Sequence, residues 1–336
     1  MQKRNEILDL SKLVASFFVV CVHSSFDAKE HAYTVLRMAV PFFFIVSGYL
    51  YEKSSNHIVY CRKQIKRVLI LCIVSNLVYW IVNNILFCKI DEIIQFISWL
   101  TSKQVIKCVL FFNYSPFWEP LWYLGALLYV WILEYILEKF AIRNTHLAIP
   151  LLLVMGLLLG KYYFLYKNNP NNVWISRNFL FEGFPFFEIG RYIHRFELNE
   201  SANKMDSKYV FGVFAISYIL SIVEHKYLVG RTRDMGGDIY VCTIFMSTAV
   251  MLLVVRGAKL SLHGTIKKCL VLVGNGASLW IFISHGLVYL FCSLCGIDSK
   301  VTVDWLYPIL VFFISCIVIV LVRLTRRIIF SIRCDN

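Results

Sequence analysis

The sequence is short of charge. Asp, Glu, Lys and Arg make up 16% of its 336 residues, against roughly 25% in a soluble domain, so there is too little polar surface to cover a water-soluble fold. Its eleven cysteines lack metal-ligand spacing, and Cys292 and Cys295 form the sole C-x-x-C, which on an apolar helix reads as packing. There is no repeat of fixed period, no separate soluble domain and no basic stripe interleaved with aromatics, which argues against nucleic-acid binding. No small-x-small cleavage site follows the first apolar stretch, and Asp9 and Lys12 interrupt its start, so that stretch is expected to be retained. The composition also excludes disorder, coiled coil, collagen and a small disulfide scaffold. What is present is apolar: 59% hydrophobic residues and a mean hydropathy of +0.66. These values point to an all-α, polytopic membrane protein.

A spanning helix needs roughly 20 mostly apolar residues. About ten such segments can be read, near 7–25, 34–52, 65–88, 118–138, 147–166, 175–195, 208–228, 238–256, 272–294 and 305–328. They are expected to form a single transmembrane domain over 1–336. The stretch 92–112 is broken by Asp91, Glu92, Gln95, Lys103 and Lys107, and reads as an amphipathic helix on the surface. With the N-terminus inside, 22 of the 34 Lys and Arg fall on the cytoplasmic side. The positive-inside rule therefore places both termini in the cytoplasm. The net charge of +13 is thereby explained by topology, with the densest cluster running from Arg62 to Arg67.

Ionisable groups inside a span are costly and mark candidate functional positions. At 100° per residue, Lys12, His23, Ser16 and Asp9 of the first span fall within a stripe about 60° wide, while Leu13, Val14, Phe17, Phe18, Cys21 and Val22 cover the other faces. The stripe is expected to face the bundle interior or a wet cavity. An interhelical polar seam would account for Ser16 but poorly for an imidazole near the far end of a span. In the ninth span Ser278 and His285 share a face, with His285 at a depth similar to His23. Glu188 and Arg191, three apart in the sixth span, read as a structural pair. Glu182 reads either as a cavity-lining acid or as the partner of a base such as Arg177.

Several short motifs then converge. Lys12 is followed by ten residues and His23. Val40-Pro41-Phe42-Phe43-Phe44-Ile45-Val46-Ser47-Gly48-Tyr49 follows, then the basic run Arg62 to Arg67 and Leu121-Trp122-Tyr123-Leu124. Later come Phe184-Pro185-Phe186-Phe187-Glu188-Ile189-Gly190-Arg191 and Ser278-Leu279-Trp280-Ile281-Phe282-Ile283-Ser284-His285. In this order they resemble the acyltransferase 3 family of integral membrane acyltransferases. The resemblance implies a ten-helix membrane fold in the cell membrane. It also implies transfer of an acyl group, usually acetyl from acetyl-CoA, to a hydroxyl of an outward-facing carbohydrate, without a metal. By the same resemblance His23 is the catalytic histidine, Lys12 with Asp9 the charged group below it, and Arg62, Lys66 and Arg67 the coenzyme-binding cluster. The sequence departs from the family by having Lys12 where Arg is usual, which keeps the charge but loses bidentate geometry. It also has Gly125-Ala126-Leu127 where many members carry a Glu.

The expected chemistry is removal of a proton from the acceptor hydroxyl by His23 during attack on the thioester, direct transfer and an acyl-histidine being equally consistent with the residues. Ser16, Ser47, Ser278 and His285 are candidates for stabilising the oxyanion, and the sequence does not choose among them. Two other readings compete. One is a transporter for a small amino acid such as serine, since this compact form also resembles the membrane part of vancomycin-resistance serine racemases. The other is an export or assembly factor of polysaccharide synthesis without chemistry.

Overall fold

The computed structural model describes residues 5–24, 29–87, 117–165, 177–198, 206–229, 239–257, 276–297 and 305–334, with isolated positions between 102 and 115 and between 263 and 273. Most of the surface segment expected at 92–112 lies outside the described residues. Within them the chain is mostly helical and no strand occurs. By its internal packing it divides into two compact units: Met1–Ala39 with Leu253–Asn336, and Val40–Leu252.

The first unit contains α1 (Glu6–His23), α2 (Lys29–Arg37), α10 (Ala277–Leu294) and α11 (Leu306–Cys334). Helix α1 starts where the Asn5 side chain accepts the Leu8 N–H at 3.0 Å, and Glu6 and Asp9 favour its positive end. It packs on α2, α10 and α11. The shared core is Val20, Ala277, Ile281, Val288, Cys292, Tyr307, Val311 and Ile319. An edge-on contact of Phe17 with Phe312, ring centroids 5.2 Å apart, adds to it.

The second unit contains α3 (Ala39–Glu52), which starts at the last residue of the first, α4 (His57–Phe87), α5 (Trp122–Lys139), α6 (Ile149–Leu159), α7 (Phe184–Glu197) and α8 (Ser207–Val229). Helix α9 (Val241–Gly257) runs across the boundary at its end. A π-helical turn, Phe179–Gly183, leads into α7. Helices α3 and α7 meet backbone to backbone. A Cβ on Gly48 would stand 1.8 Å from the Phe187 carbonyl oxygen, and one on Gly190 1.9 Å from that of Ile45. Small residues at such crossings are how apolar helices approach closely in a bilayer.

Among the described residues, six helical segments are long and apolar enough to cross a membrane: Ala32–Glu52, His57–Asn83, Glu119–Lys139, Ser207–Val229, Ala277–Leu294 and Leu306–Thr325. Several differ from the expected limits for physical reasons. The segment at 34–52 is broken at Met38 into α2 and α3. Helix α4 begins at His57, so the whole basic run lies inside the helix, where only Lys66 and Arg67 fell within the expected 65–88. Helix α1 carries Glu6, Asp9 and Lys12, and falls outside the six. Among the described residues of 147–166, only Ile149–Leu159 is α-helical.

Candidate active site

Of the polar stripe of α1, Ser16 is buried, Asp9 and Lys12 are half-buried and His23 is exposed. Ser16 is fully buried between Val19 and Val20, while Val14 on the opposite face is exposed. The Ser16 hydroxyl lies 2.8 Å from the Lys12 carbonyl and 3.2 Å from that of Ser278, so it ties α1 to α10 with a single proton. The expected seam is real at this position. Toward the start of the helix, Lys12 Nζ and Asp9 Oδ1 pair at 2.6 Å. They line a shallow cleft, open to the outside, with Leu13, Val273, Gly276, Ala277 and Ser278. Gly276 precedes α10 with φ 76°, a left-handed conformation that favours glycine.

At the other end, His23 is the last residue of α1 and is exposed. Eleven residues separate it from Lys12, about 16 Å along the axis. Lys12 and Asp9 therefore do not reach a proton handled at His23; their place is the opposite mouth of the stripe. The ring of His285, wholly buried, stands 5.3 Å from that of His23, centroid to centroid, tilted by 31°. His285 Nδ1 lies 2.7 Å from the Phe282 carbonyl oxygen and 3.3 Å from that of Ile281. Carbonyls only accept, so Nδ1 carries the proton, and in the neutral ring the lone pair is at Nε2.

Residues not singled out in the sequence complete this end. The hydroxyls of Ser24 and Tyr289 lie 3.1 and 2.8 Å from the Val20 carbonyl and touch each other. The Tyr289 ring stands edge-on to His285 at 6.1 Å. Lys29 Nζ donates to the carbonyls of Val22 and Ser24 at 2.7 Å each, closing the helix end around His23. Burial, with repulsion from Arg37, holds the Lys29 ammonium below the usual lysine range. Tyr289 lies four residues after His285, a spacing that places it on the same helix face.

The remaining candidates belong to the second unit. The Ser47 hydroxyl donates to the Phe43 carbonyl at 2.9 Å and sits beside the buried Tyr123, where it contributes to packing next to Gly48. Glu182 is fully buried in the π-helical turn, and Arg177 pairs with Glu119. Arg62, Lys66 and Arg67 are exposed along α4. Glu188 and Arg191 pair at 2.7 Å, as their spacing implies. Their network is wider, because Arg191 also binds Glu134 and Glu52 at 2.9 Å each. Thr145 donates to Glu188 at 2.6 Å, and Arg195 holds Glu52 at 2.6 Å.

Cys292 is buried, Cys295 is exposed and both are free thiols. Among the described residues no group of three or more His, Cys, Asp or Glu is placed to hold a metal ion. No curated protein and no solved structure matches the chain. A protein-family comparison does: the acyltransferase domain of the acyltransferase 3 family matches residues 5–324, nearly the whole length, and the chain belongs to that family of membrane acyltransferases.

Proposed function

We propose that the protein transfers an acetyl group from acetyl-CoA to a hydroxyl of a cell-surface polysaccharide or its lipid-linked precursor, with His23 as general base. The observation that supports this reading best is the imidazole pair at the end of α1, one ring exposed and its neighbour buried with a defined tautomer. A scaffold held together only by packing has no use for two imidazoles side by side in an apolar helix pair.

The acceptor hydroxyl gives its proton to the lone-pair nitrogen of His23 while its oxygen adds to the thioester carbonyl. The C–S bond then breaks, the oxygen ester remains on the acceptor, and the imidazolium returns the proton to the departing thiolate. Positioned proton transfer of this kind contributes about 10²–10⁴-fold in rate. His285 acts as a positioning residue: with its Nδ1 proton committed to Phe282, its Nε2 lone pair can take an N–H of His23 and leave the other His23 nitrogen basic. The phosphates of the coenzyme are the part that the family resemblance gives to Arg62, Lys66 and Arg67, whose exposed charges suit phosphate from any source.

The test is NMR of the surface polysaccharide from strains with and without the protein. O-acetyl signals are expected to vanish on deletion, to return with the wild-type chain and to stay absent with His23→Ala expressed at a normal level. O-acetyl signals of full intensity with His23→Ala contradict the assignment. A deletion that blocks polymer export while the residual polymer keeps its O-acetyl groups favours an assembly factor instead.

A further inference from the structure

Acyl transfer through a tetrahedral intermediate needs a hydrogen-bond donor for the oxyanion, and the donors expected for that task are already spent. The Ser16 hydroxyl has one proton for the carbonyls of Lys12 and Ser278. Ser16 and Ser278 also lie seven residues before His23 and His285, about 10 Å along each helix. The Ser47 proton goes to the Phe43 carbonyl, and His285 gives its Nδ1 proton to that of Phe282. Ser24 and Tyr289 turn their hydroxyls to the Val20 carbonyl and to each other. Lys29 differs. Its ammonium has three N–H bonds, and two go to the carbonyls of Val22 and Ser24, the residues on either side of His23. The third has no partner among the described residues, and no carboxylate there pairs with the charge. Lys29 is half-buried at the start of α2, outside the six apolar segments. Its two bonds of 2.7 Å fix the charge beside the backbone of His23.

We propose that Lys29 is a catalytic residue, whose third N–H donates to the oxyanion formed when the acceptor attacks the thioester. The inference rests on the reading of His23 as the general base. As the acceptor oxygen adds to the carbonyl carbon, the C=O π pair moves onto oxygen, and the ammonium holds that charge. The carbonyl reforms as the C–S bond breaks, and Lys29 keeps its proton throughout. A charged donor suits the step because its hydrogen bond is roughly twice as strong as a neutral one. Around Lys29 stand Cys21 and His23 of α1 and Arg37 of α2. Tyr289 and His285 of α10 meet the same helix end, and Tyr307 of α11 packs on Tyr289.

The experiment measures transfer of labelled acetyl from acetyl-CoA in membranes for wild type, Lys29→Met and Lys29→Arg, with His23→Ala alongside. Lys29→Met is expected to lower kcat about 10²–10³-fold with KM for acetyl-CoA unchanged. Lys29→Arg, which keeps a charged donor, is expected to restore part of that loss. The ammonium is the working form, and burial with Arg37 holds it below the usual lysine range. Wild-type transfer should therefore fall as pH rises through that lowered value. In Lys29→Arg the fall should move to higher pH, a shift that a purely structural lysine does not predict. A wild-type rate in Lys29→Met overturns the proposal. So does a raised KM for acetyl-CoA with kcat intact, which marks ground-state binding. Either result with His23→Ala inactive leaves the base assignment standing, whereas wild-type transfer in His23→Ala removes both. Should Lys29→Met not accumulate, the alkaline limb of Lys29→Arg decides the question, and a limb coinciding with that of wild type overturns the proposal.

Discussion

The two units handle buried polarity in opposite ways. In the second, Arg191 is gripped by Glu52, Glu134 and Glu188, and two of those carboxylates are tied again by Arg195 and Thr145. Three helices converge on one guanidinium, whose ion pairs run to three carboxylates and which also lies over the Tyr51 ring. In the first unit the imidazoles of His23 and His285 stand ring to ring, one exposed and one with its tautomer set by a backbone carbonyl. A charge surrounded by counter-charges joins helices, because removing it leaves the others uncompensated in a medium without water. A base at an exposed helix end with a buried partner is arranged to exchange a proton. On the proposed reading, the difference separates groups that hold this fold from groups that act, although both are ionisable residues in apolar helices.

The sharpest contrast comes from deleting each centre. His23→Ala is expected to lower acetyl transfer in membranes by about 10²–10⁴-fold while the protein accumulates and elutes as wild type; poor accumulation would move His23 to the structural class. Arg191→Leu should do the reverse. Three carboxylates lose their shared cation, at a cost of about 3–5 kcal/mol, so the detergent-extracted protein should aggregate or melt far earlier on size-exclusion chromatography after heating. A normally melting Arg191→Leu protein would end the structural reading of that network.

Much of this division could be read from the sequence, and the limits follow from spacing. Glu188 and Arg191 stand three apart on one helix and were expected to pair. Glu134 and Glu52, 57 and 139 positions from Arg191, have no local signal that ties them to it. Glu134 nonetheless interrupts the apolar segment 118–138, which alone marks it as costly. His23 and His285 were matched by depth in their spans, whereas Tyr289 and Lys29 enter through tertiary contact. The Ser47-Gly48 and Gly190 positions of the family motifs were legible as a pattern but not in role. The structure shows a helix crossing so tight that a methyl group collides with backbone. The break at Met38 and the π-helical turn before α7 carry no periodicity that sequence reading detects.

Smaller substitutions refine the comparison. Gly48→Ala puts a methyl group against the Phe187 carbonyl and is expected to cost about 1–3 kcal/mol, seen as a lower melting temperature with unchanged transfer per folded molecule. A selective loss of transfer there would extend the catalytic machinery into the second unit. Tyr289→Phe removes one hydroxyl from the Val20 carbonyl and Ser24 at the His285 end. About 1 kcal/mol is expected, with transfer reduced only severalfold, measured as kcat against KM for acetyl-CoA.

The most direct measurement is a double-mutant cycle on transfer of labelled acetyl from acetyl-CoA in membranes, with His23→Ala, His285→Ala and the pair together. Because His285 is assigned to act through His23, the double variant should be no slower than His23→Ala alone. Losses that multiply, with the double variant slower by the product of the two single effects, would show that the imidazoles act independently and would contradict the account.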